Sequence, residues 1–337
     1  MDYQLFYDML RIDSCTKEGQ RKMADFLAEV LSTDGARVKL IPEDANPQQP
    51  VNVLASWGEP KITYCSHLDT VPPYIPYKVE GAPYAPVSIH GRGTCDAKGQ
   101  VFSMIETCRA LKGKGASDFA ILIIFGEETG SFGAKVMNSY PGTEYLVVGE
   151  PTDCRMTSAA KGTKSFKIAI KGKACHSGYP HNGVSAVERF LDLMELIRST
   201  KWPKDEILGD TTYNIGELQS HNPQNILSSL LTFRIYFRTT FASDSFVCET
   251  MESLANDFTE VQSLGGDTPS RFFTLPGFDT TTVAFGSDAP QLKNYRHKML
   301  YGPGSINVAH TDKEFITAAE IDKAVADYMR MYELVNK

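Results

Sequence analysis

The stretch Phe119-Ala-Ile-Leu-Ile-Ile-Phe-Gly-Glu-Glu-Thr-Gly130 decides how this chain is read. Its apolar, β-branched run predicts a buried strand, and the glycine that follows delivers Glu127 and Glu128 side by side into a loop. Adjacent anions at a strand end repel each other, so a cation is expected to hold them. A metal ion does this economically, because one carboxylate binds while its neighbour stays free as a base. Taken alone, the pair also reads as a solvated acidic turn, and the rest of the chain decides between the two.

Working outward, Lys61-Ile-Thr-Tyr-Cys-Ser-His-Leu-Asp-Thr-Val-Pro72 places His67 and Asp69 at the end of a strand. Two-residue spacing points both side chains to one face. Asp69 is then expected to accept a hydrogen bond from one imidazole nitrogen of His67 while the other faces a metal. Ile89-His-Gly-Arg-Gly-Thr-Cys-Asp-Ala-Lys-Gly99 puts Asp96 in a glycine-punctuated loop before a helical segment. Glu144-Tyr-Leu-Val-Val-Gly-Glu-Pro-Thr152 ends a short apolar strand at Glu150, and Gly302-Pro-Gly-Ser-Ile-Asn-Val-Ala-His310 carries His310 in a Gly/Pro loop. So many acid and imidazole groups at strand ends, in a chain with seven histidines, favour a metal centre over an acidic turn. Cys65 shares the expected strand face with His67 and reads as a small buried apolar residue rather than a thiolate ligand.

Together these motifs closely resemble the dinuclear-zinc family of acetylornithine deacetylase, succinyl-diaminopimelate desuccinylase, aminoacylase and carboxypeptidase G. The likeness runs essentially from end to end. His67-Leu-Asp-Thr-Val-Pro72, Gly91-Arg-Gly-Thr-Cys-Asp-Ala-Lys-Gly99, Gly126-Glu-Glu-Thr-Gly130, Gly149-Glu-Pro-Thr152 and Ala309-His-Thr-Asp-Lys-Glu314 occur in the family's order. The resemblance implies an α/β fold in which a zinc-aminopeptidase-like catalytic domain, a mixed sheet flanked by helices, carries an inserted α+β lid and dimerisation domain. It implies that Asp96 bridges two zinc ions, that His67 and Glu150 complete one site, and that Glu128 and His310 complete the other. Glu127 would be the general base, Asp69 would orient His67, and cobalt is expected to substitute for zinc. Charge agrees: three carboxylates and one hydroxide balance two divalent ions, and the metals bring that water to a pKa of roughly 7.

In the lid, Lys171-Gly-Lys-Ala-Cys-His-Ser-Gly178 matches the family segment whose histidine polarises the substrate carbonyl, which makes His176 the implied oxyanion stabiliser. Without that match, a histidine after a glycine-rich turn reads as a loop residue. Asn225 and Arg238 align with lid residues that hold the oxyanion region and the substrate carboxylate. Arg234 points to the same strand face as Arg238, and only family spacing from Asn225 favours Arg238. Related enzymes pair through their lids, and the lid histidine can serve the partner's site, so a homodimer is implied.

Phe285-Gly-Ser-Asp-Ala-Pro290 and the Gly302 to His310 run look like acetylornithine deacetylases. They imply hydrolysis of the amide of an N-acyl amino acid, foremost N-acetylornithine or a relative such as acetylcitrulline, and a place in arginine biosynthesis. A desuccinylase and a small carboxypeptidase or dipeptidase share this chemistry. A metal-binding homologue without catalysis is the reading from a different class. Glu127 separates them, because it is the one site residue with no structural duty to the metals.

Length and composition agree. With 337 residues the chain exceeds a typical single core, which predicts two domains. The catalytic domain is expected over 1–161 and 267–337, and the lid over 162–266. Residues 17–34 predict an amphipathic helix, and strands then alternate with helices through Glu150, the pattern of a sheet with helices on its faces. Ligands at strand ends fit the rule that such sheets bind at their carboxyl edges. The lid opens with the alternating Ser165-Phe-Lys-Ile-Ala-Ile-Lys171, continues as a helix over 187–198, and alternates again from Thr232 to Arg238. A net charge of −7 with no basic run argues against nucleic acid. No stretch approaches a membrane span, and Met1-Asp-Tyr-Gln lacks the parts of a signal peptide. Seven scattered cysteines without a C-x-x-C predict a reducing cytoplasm.

Overall fold

Asp118–Ile124 forms the strand its apolar run requires, buried at every position after Asp118. It lies within a six-stranded mixed sheet ordered Arg37–Ile41, Asn52–Gly58, Asp118–Ile124, Ile62–His67, Tyr145–Val148, His297–Leu300. The last four strands run parallel to one another; Asn52–Gly58 joins them antiparallel, and Arg37–Ile41 pairs antiparallel with Asn52–Gly58. Parallel strands are covered on both faces, which is why Asp118–Ile124 reads as a continuous run rather than an alternation. In register, His67 sits opposite Ile124 and Cys65 opposite Val148. The four parallel strands therefore end along one carboxyl edge.

The computed structural model describes residues 1–337, divided into two compact units. The first comprises Met1–Ser158, Phe272–Thr281 and Ser287–Lys337, and the second Ala159–Arg271 with Thr282–Gly286. In the first unit, Thr16 caps the helix Lys17–Thr33 by accepting the Gly19 N–H at 3.0 Å. That helix buries Met23, Ala24, Leu27 and Leu31, the stripe its spacing predicts. The helix Ala318–Val335 begins with a full capping box between Thr317 and Glu320. The helix Lys98–Gly113 starts at Lys98 and is buried continuously from there to Ile105. Gly99 is required at its start, because a Cβ there would lie 2.1 Å from the Thr94 carbonyl oxygen. The helix Tyr3–Arg11, which stacks Phe6 on Phe102 at 4.9 Å, is not anticipated from the sequence. Asp2 at its N-cap is a residue type that marks helix starts, but its side chain makes no cap bond. A small antiparallel sheet of Phe315–Thr317, Ala85–His90 and Lys78–Ala82 also belongs to this unit.

The second unit has a four-stranded antiparallel sheet ordered Thr212–Gln219, Leu230–Thr239, Gly162–Lys171, Thr259–Gly265. Alternation puts Phe166, Ile168, Ile170, Phe233, Ile235 and Phe237 on one buried face, against residues of the helices Ala186–Ser199 and Asp244–Ser253. All seven cysteines are free. No helix is long and apolar enough to cross a membrane.

Candidate metal centre

Each parallel strand of the large sheet hands a side chain to the shared edge. His67 is the last residue of its strand; Glu127 and Glu128 follow Ile124, Glu150 follows Val148, and the loop carrying His310 follows Leu300. Asp96 reaches them from the loop before the helix Lys98–Gly113, and its peptide bond to Ala97 is cis.

The two oxygens of Asp96 face different histidines. Oδ1 lies 3.0 Å from His67 Nε2, and Oδ2 lies 3.2 Å from His310 Nε2. His310 Nε2 also lies 2.9 Å from Glu128 Oε1. Ligand atoms of His67, Asp96 and Glu128 all fall within 4.8 Å of one another. His67, Asp96 and Glu150 are buried, at 2%, 6% and 5% exposure, whereas the His310 side chain is 49% exposed. His310 has φ +62°, a left-handed conformation that costs a non-glycine residue energy and recurs where a side chain must be aimed.

Asp69 stays beside His67 and reaches the ring chiefly through its backbone. The strand ends at His67, so Asp69 lies beyond it, and His67 Nδ1 makes its 3.0 Å contact with the Asp69 backbone carbonyl. The Asp69 carboxylate is farther from that nitrogen, at 3.6 Å. Its oxygens instead accept the backbone N–H groups of Glu127, at 3.2 Å, and Glu128, at 3.1 Å. One buried carboxylate thus fixes the backbone of the Glu-Glu pair and sets the two side chains on separate courses. Glu128 meets His310. The Glu127 carboxylate makes no hydrogen bond or ion pair and keeps partial access to solvent.

Electrostatics concentrate negative charge in the cluster. Burial lifts Glu127 and Glu150 well above the usual carboxyl range, with Asp96 adding to both. Burial likewise pushes Asp288 up to about 7. Burial alone would raise Asp96 too, but hydrogen bonds from His310 and His67 hold it low. His310 rises to about 10 through its bonds to Asp96 and Glu128. For His67, burial opposes the charge, and the Asp69 and Asp96 contacts outweigh it and raise the imidazole. Carboxylates outnumber imidazoles here, and protons alone relieve the excess.

The donor set fits zinc. Imidazole nitrogen and carboxylate oxygen are ordinary zinc ligands, and donors about 2.0–2.1 Å from one tetrahedral ion sit roughly 3.3 Å apart. The separations around Asp96, 3.0 and 3.2 Å, are close to that. Glu150 has no hydrogen-bond partner and lies outside the tightest group, where its raised carboxyl registers Asp96, Glu127 and His67 as charged neighbours. Cys65 is fully buried with its thiol pushed well up by burial, the behaviour of an apolar filler.

Asp288 was not among the residues expected here. It is 2% exposed with Oδ1 unpartnered, and its charge is felt at Glu127 and Glu150. The Ser-Asp-Ala-Pro run was legible, but only the fold brings it beside His67.

In the second unit, His176 is exposed, and its Nδ1 accepts the Gly178 N–H at 3.1 Å. With Nδ1 accepting, Nε2 is the ring nitrogen left to donate. Ser177 N–H donates to the Asn225 carbonyl at 2.9 Å, tying the two segments together. Arg234 pairs with Glu217 at 3.0 Å. Arg238 has no ion pair, and its guanidinium lies 5.0 Å from the Tyr236 ring centre.

Residues 64–334 match the model of peptidase family M20/M25/M40. A peptidase M20 domain-containing protein of Schizosaccharomyces pombe is 34% identical over 324 residues, covering 92% of this chain and 78% of that protein. A probable carboxypeptidase of Emericella nidulans is 31% identical over 373 residues, covering 97% of this chain and 88% of that protein. The crystal structure of a tripeptidase from Staphylococcus aureus superposes with a TM-score of 0.82 at 20% identity, covering 98% of this chain and 97% of that one, a likeness of fold.

Proposed function

The chain belongs to peptidase family M20/M25/M40, and on that premise we propose that this metal-dependent amide hydrolase releases an amino acid from its N-acyl derivative, N-acetylornithine foremost. The observation that carries the reading is the Glu-Glu pair. Asp69 fixes both backbones, Glu128 turns to His310, and Glu127 is left with an unpartnered, partly accessible carboxyl beside the cluster.

His67, Asp96 and Glu150 would hold one zinc ion, and Asp96, Glu128 and His310 a second. Bound zinc supplies a Lewis acid for the scissile carbonyl and acidifies water to a pKa of roughly 7. Glu127 takes a proton from the attacking water onto its free carboxylate and passes it to the departing amine nitrogen, a role open to it because its oxygens bind nothing else. His176 directs its Nε2–H at the developing oxyanion, with Asn225 beside it, and its Nδ1 bond to Gly178 supports that tautomer. Arg238 clamps the substrate carboxylate. The engagement of Arg234 by Glu217 supports this choice, because it leaves Arg238 as the guanidinium without an anion. We further infer a homodimer paired through the 162–266 lid and, from seven unpaired thiols, a reducing cytoplasmic location.

The likeness to the Emericella nidulans probable carboxypeptidase favours a second reading in which the acyl group is a peptide. Amine release from N-acetyl, N-succinyl and C-terminally free dipeptide substrates, with zinc or cobalt added, separates the two. Preference for acetylornithine supports the first, and preference for dipeptides the second. Release from none of them would leave a metal-binding homologue without catalysis.

A further inference from the structure

Two charged residues inside the metal-binding motifs have no part in the chemistry above. Arg92, from Gly91-Arg-Gly-Thr-Cys-Asp96, is 3% exposed, and Glu314, from Ala309-His-Thr-Asp-Lys-Glu314, is 1% exposed. They form a buried ion pair, Arg92 Nη1 to Glu314 Oε2 at 2.6 Å. The other oxygen, Glu314 Oε1, accepts the backbone N–H groups of Cys95 at 3.0 Å and Asp96 at 3.1 Å. Arg92 Nη1 also donates to the Thr311 carbonyl at 3.2 Å, and its Nε to the Pro73 carbonyl at 3.3 Å.

Each backbone contact falls on a segment that carries a ligand. Asp96 is itself held, Thr311 follows His310, and Pro73 lies on the segment leaving His67. We propose that Arg92 and Glu314 are positioning residues that fix the backbone of Asp96 and, at Thr311, the segment that carries His310, and thereby set the affinity of the centre for its metal; this rests on the metal-centre reading above.

A stability role alone accounts poorly for the arrangement. Replacing a buried ion pair by apolar side chains of similar volume is often neutral or stabilising, so such a pair is weak evidence for stability. Here the donors and acceptors left over after pairing are spent on the ligand-bearing backbone. The pairing also neutralises Glu314, so a carboxylate one hydrogen bond from Asp96 adds no net charge to an already acidic cluster. Outer-shell partners of this kind are worth about 10–100-fold in metal affinity.

The test compares Glu314→Gln with the double variant Arg92→Met/Glu314→Leu. Thermal unfolding of the metal-free proteins is measured, together with Co²⁺ binding followed by its visible absorption. Glu314→Gln keeps an oxygen for the Cys95 and Asp96 N–H groups but leaves Arg92 unpaired, so its stability drops while Co²⁺ affinity changes little. The double variant removes both charges and all four backbone contacts. It is expected to recover stability relative to Glu314→Gln, to bind Co²⁺ about 10–100-fold more weakly, and to shift the Co²⁺ band. Stability and affinity then rank the variants in opposite orders. Affinity that simply follows stability, or a double variant that binds Co²⁺ as the wild type does, overturns the proposal. Wild-type protein that does not bind Co²⁺ would instead overturn the metal-centre reading.

Discussion

Glu127 and Glu128 carry the same side chain at adjacent positions, yet only Glu128 touches a histidine. Glu127→Gln should therefore keep metal content near the wild-type level and lower kcat by about 10²–10⁴-fold, the usual share of general acid–base catalysis. Glu128→Gln should lose metal together with activity. Equal metal content in the two variants, measured by elemental analysis after dialysis, would reverse or remove the assignment. Asp69 makes a second prediction at this scale. Its carboxylate accepts two N–H groups, and an amide offers only one oxygen. Asp69→Asn should cost about 10–100-fold in kcat or metal affinity, as losses behind a ligand shell do. A variant with wild-type turnover and metal content would show that the clamp is dispensable. The residues that gather at the carboxyl edge were legible because acid and imidazole groups recur at strand ends and in Gly/Pro loops, and histidine is scarce in this chain. The grip of Asp69 on two amides was not, because a backbone partner has no side-chain signature. Arg92, Glu314 and Asp288 were likewise visible as letters in the motifs without any sign of what each would touch.

Among the elements, most boundaries follow from local signals. Thr16 opens the helix Lys17–Thr33 and Thr317 with Glu320 opens Ala318–Val335, each by satisfying N–H groups that the first turn leaves free. Thr317→Ala should lower stability by about 1 kcal/mol, read as a shift of the denaturation midpoint, with kcat per folded molecule unchanged. Gly99→Ala is expected to behave differently. Its Cβ would meet the Thr94 carbonyl oxygen at 2.1 Å, and the loop holding Asp96 must move to admit it. Both stability and Co²⁺ affinity should fall, so a variant that loses stability alone would detach this turn from the centre. Periodicity also anticipates the lid strands, whose buried and exposed residues alternate through Leu230–Thr239. It misses Tyr3–Arg11, where the Asp2 side chain makes no cap bond and burial against Phe102 holds the helix.

At the scale of the whole molecule, the cluster links stability to pH and to metal. In the metal-free protein, burial raises Glu127 and Glu150 and brings Asp288 to about 7, while bonds to Asp96 and Glu128 bring His310 to about 10. All four groups bind more protons folded than unfolded, so their contribution to stability is full below the unfolded values and is lost as pH rises through the folded ones. Asp96, held low, works in the opposite sense, but its contribution is lost only as pH falls below its unfolded value of roughly 4. The Tm in chelator should therefore fall between pH 6 and pH 9. Zinc should abolish or reverse that slope, because ligands must shed protons to bind it. A chelated protein whose Tm rises over the same interval contradicts the charge pattern. The proposed dimer has its own test: inactive His176→Ala and inactive Glu127→Gln subunits should regain activity after exchange if a lid histidine serves the partner's centre, and no recovery after verified exchange would exclude a shared site.

Residue type and spacing alone carried the class of fold and the hydrolase family: a strand that must be buried, carboxylates and imidazoles at strand ends, and motifs in the order of one family. Those are local properties, written in residue type and spacing, and they survive any arrangement of the segments in space. The pairing of distant segments is what sets Asp118–Ile124, Ile62–His67, Tyr145–Val148 and His297–Leu300 side by side and parallel, so that residues from His67 to His310 meet at one edge. Strand order depends on long-range pairing, to which no single segment commits. The same holds for the side-chain partners: Asp96 shared between two histidines, Asp69 on the Glu-Glu backbone, and Arg92 on Glu314 are contacts between distant segments. Burial then gave those contacts their strength, by removing the water that would have screened them.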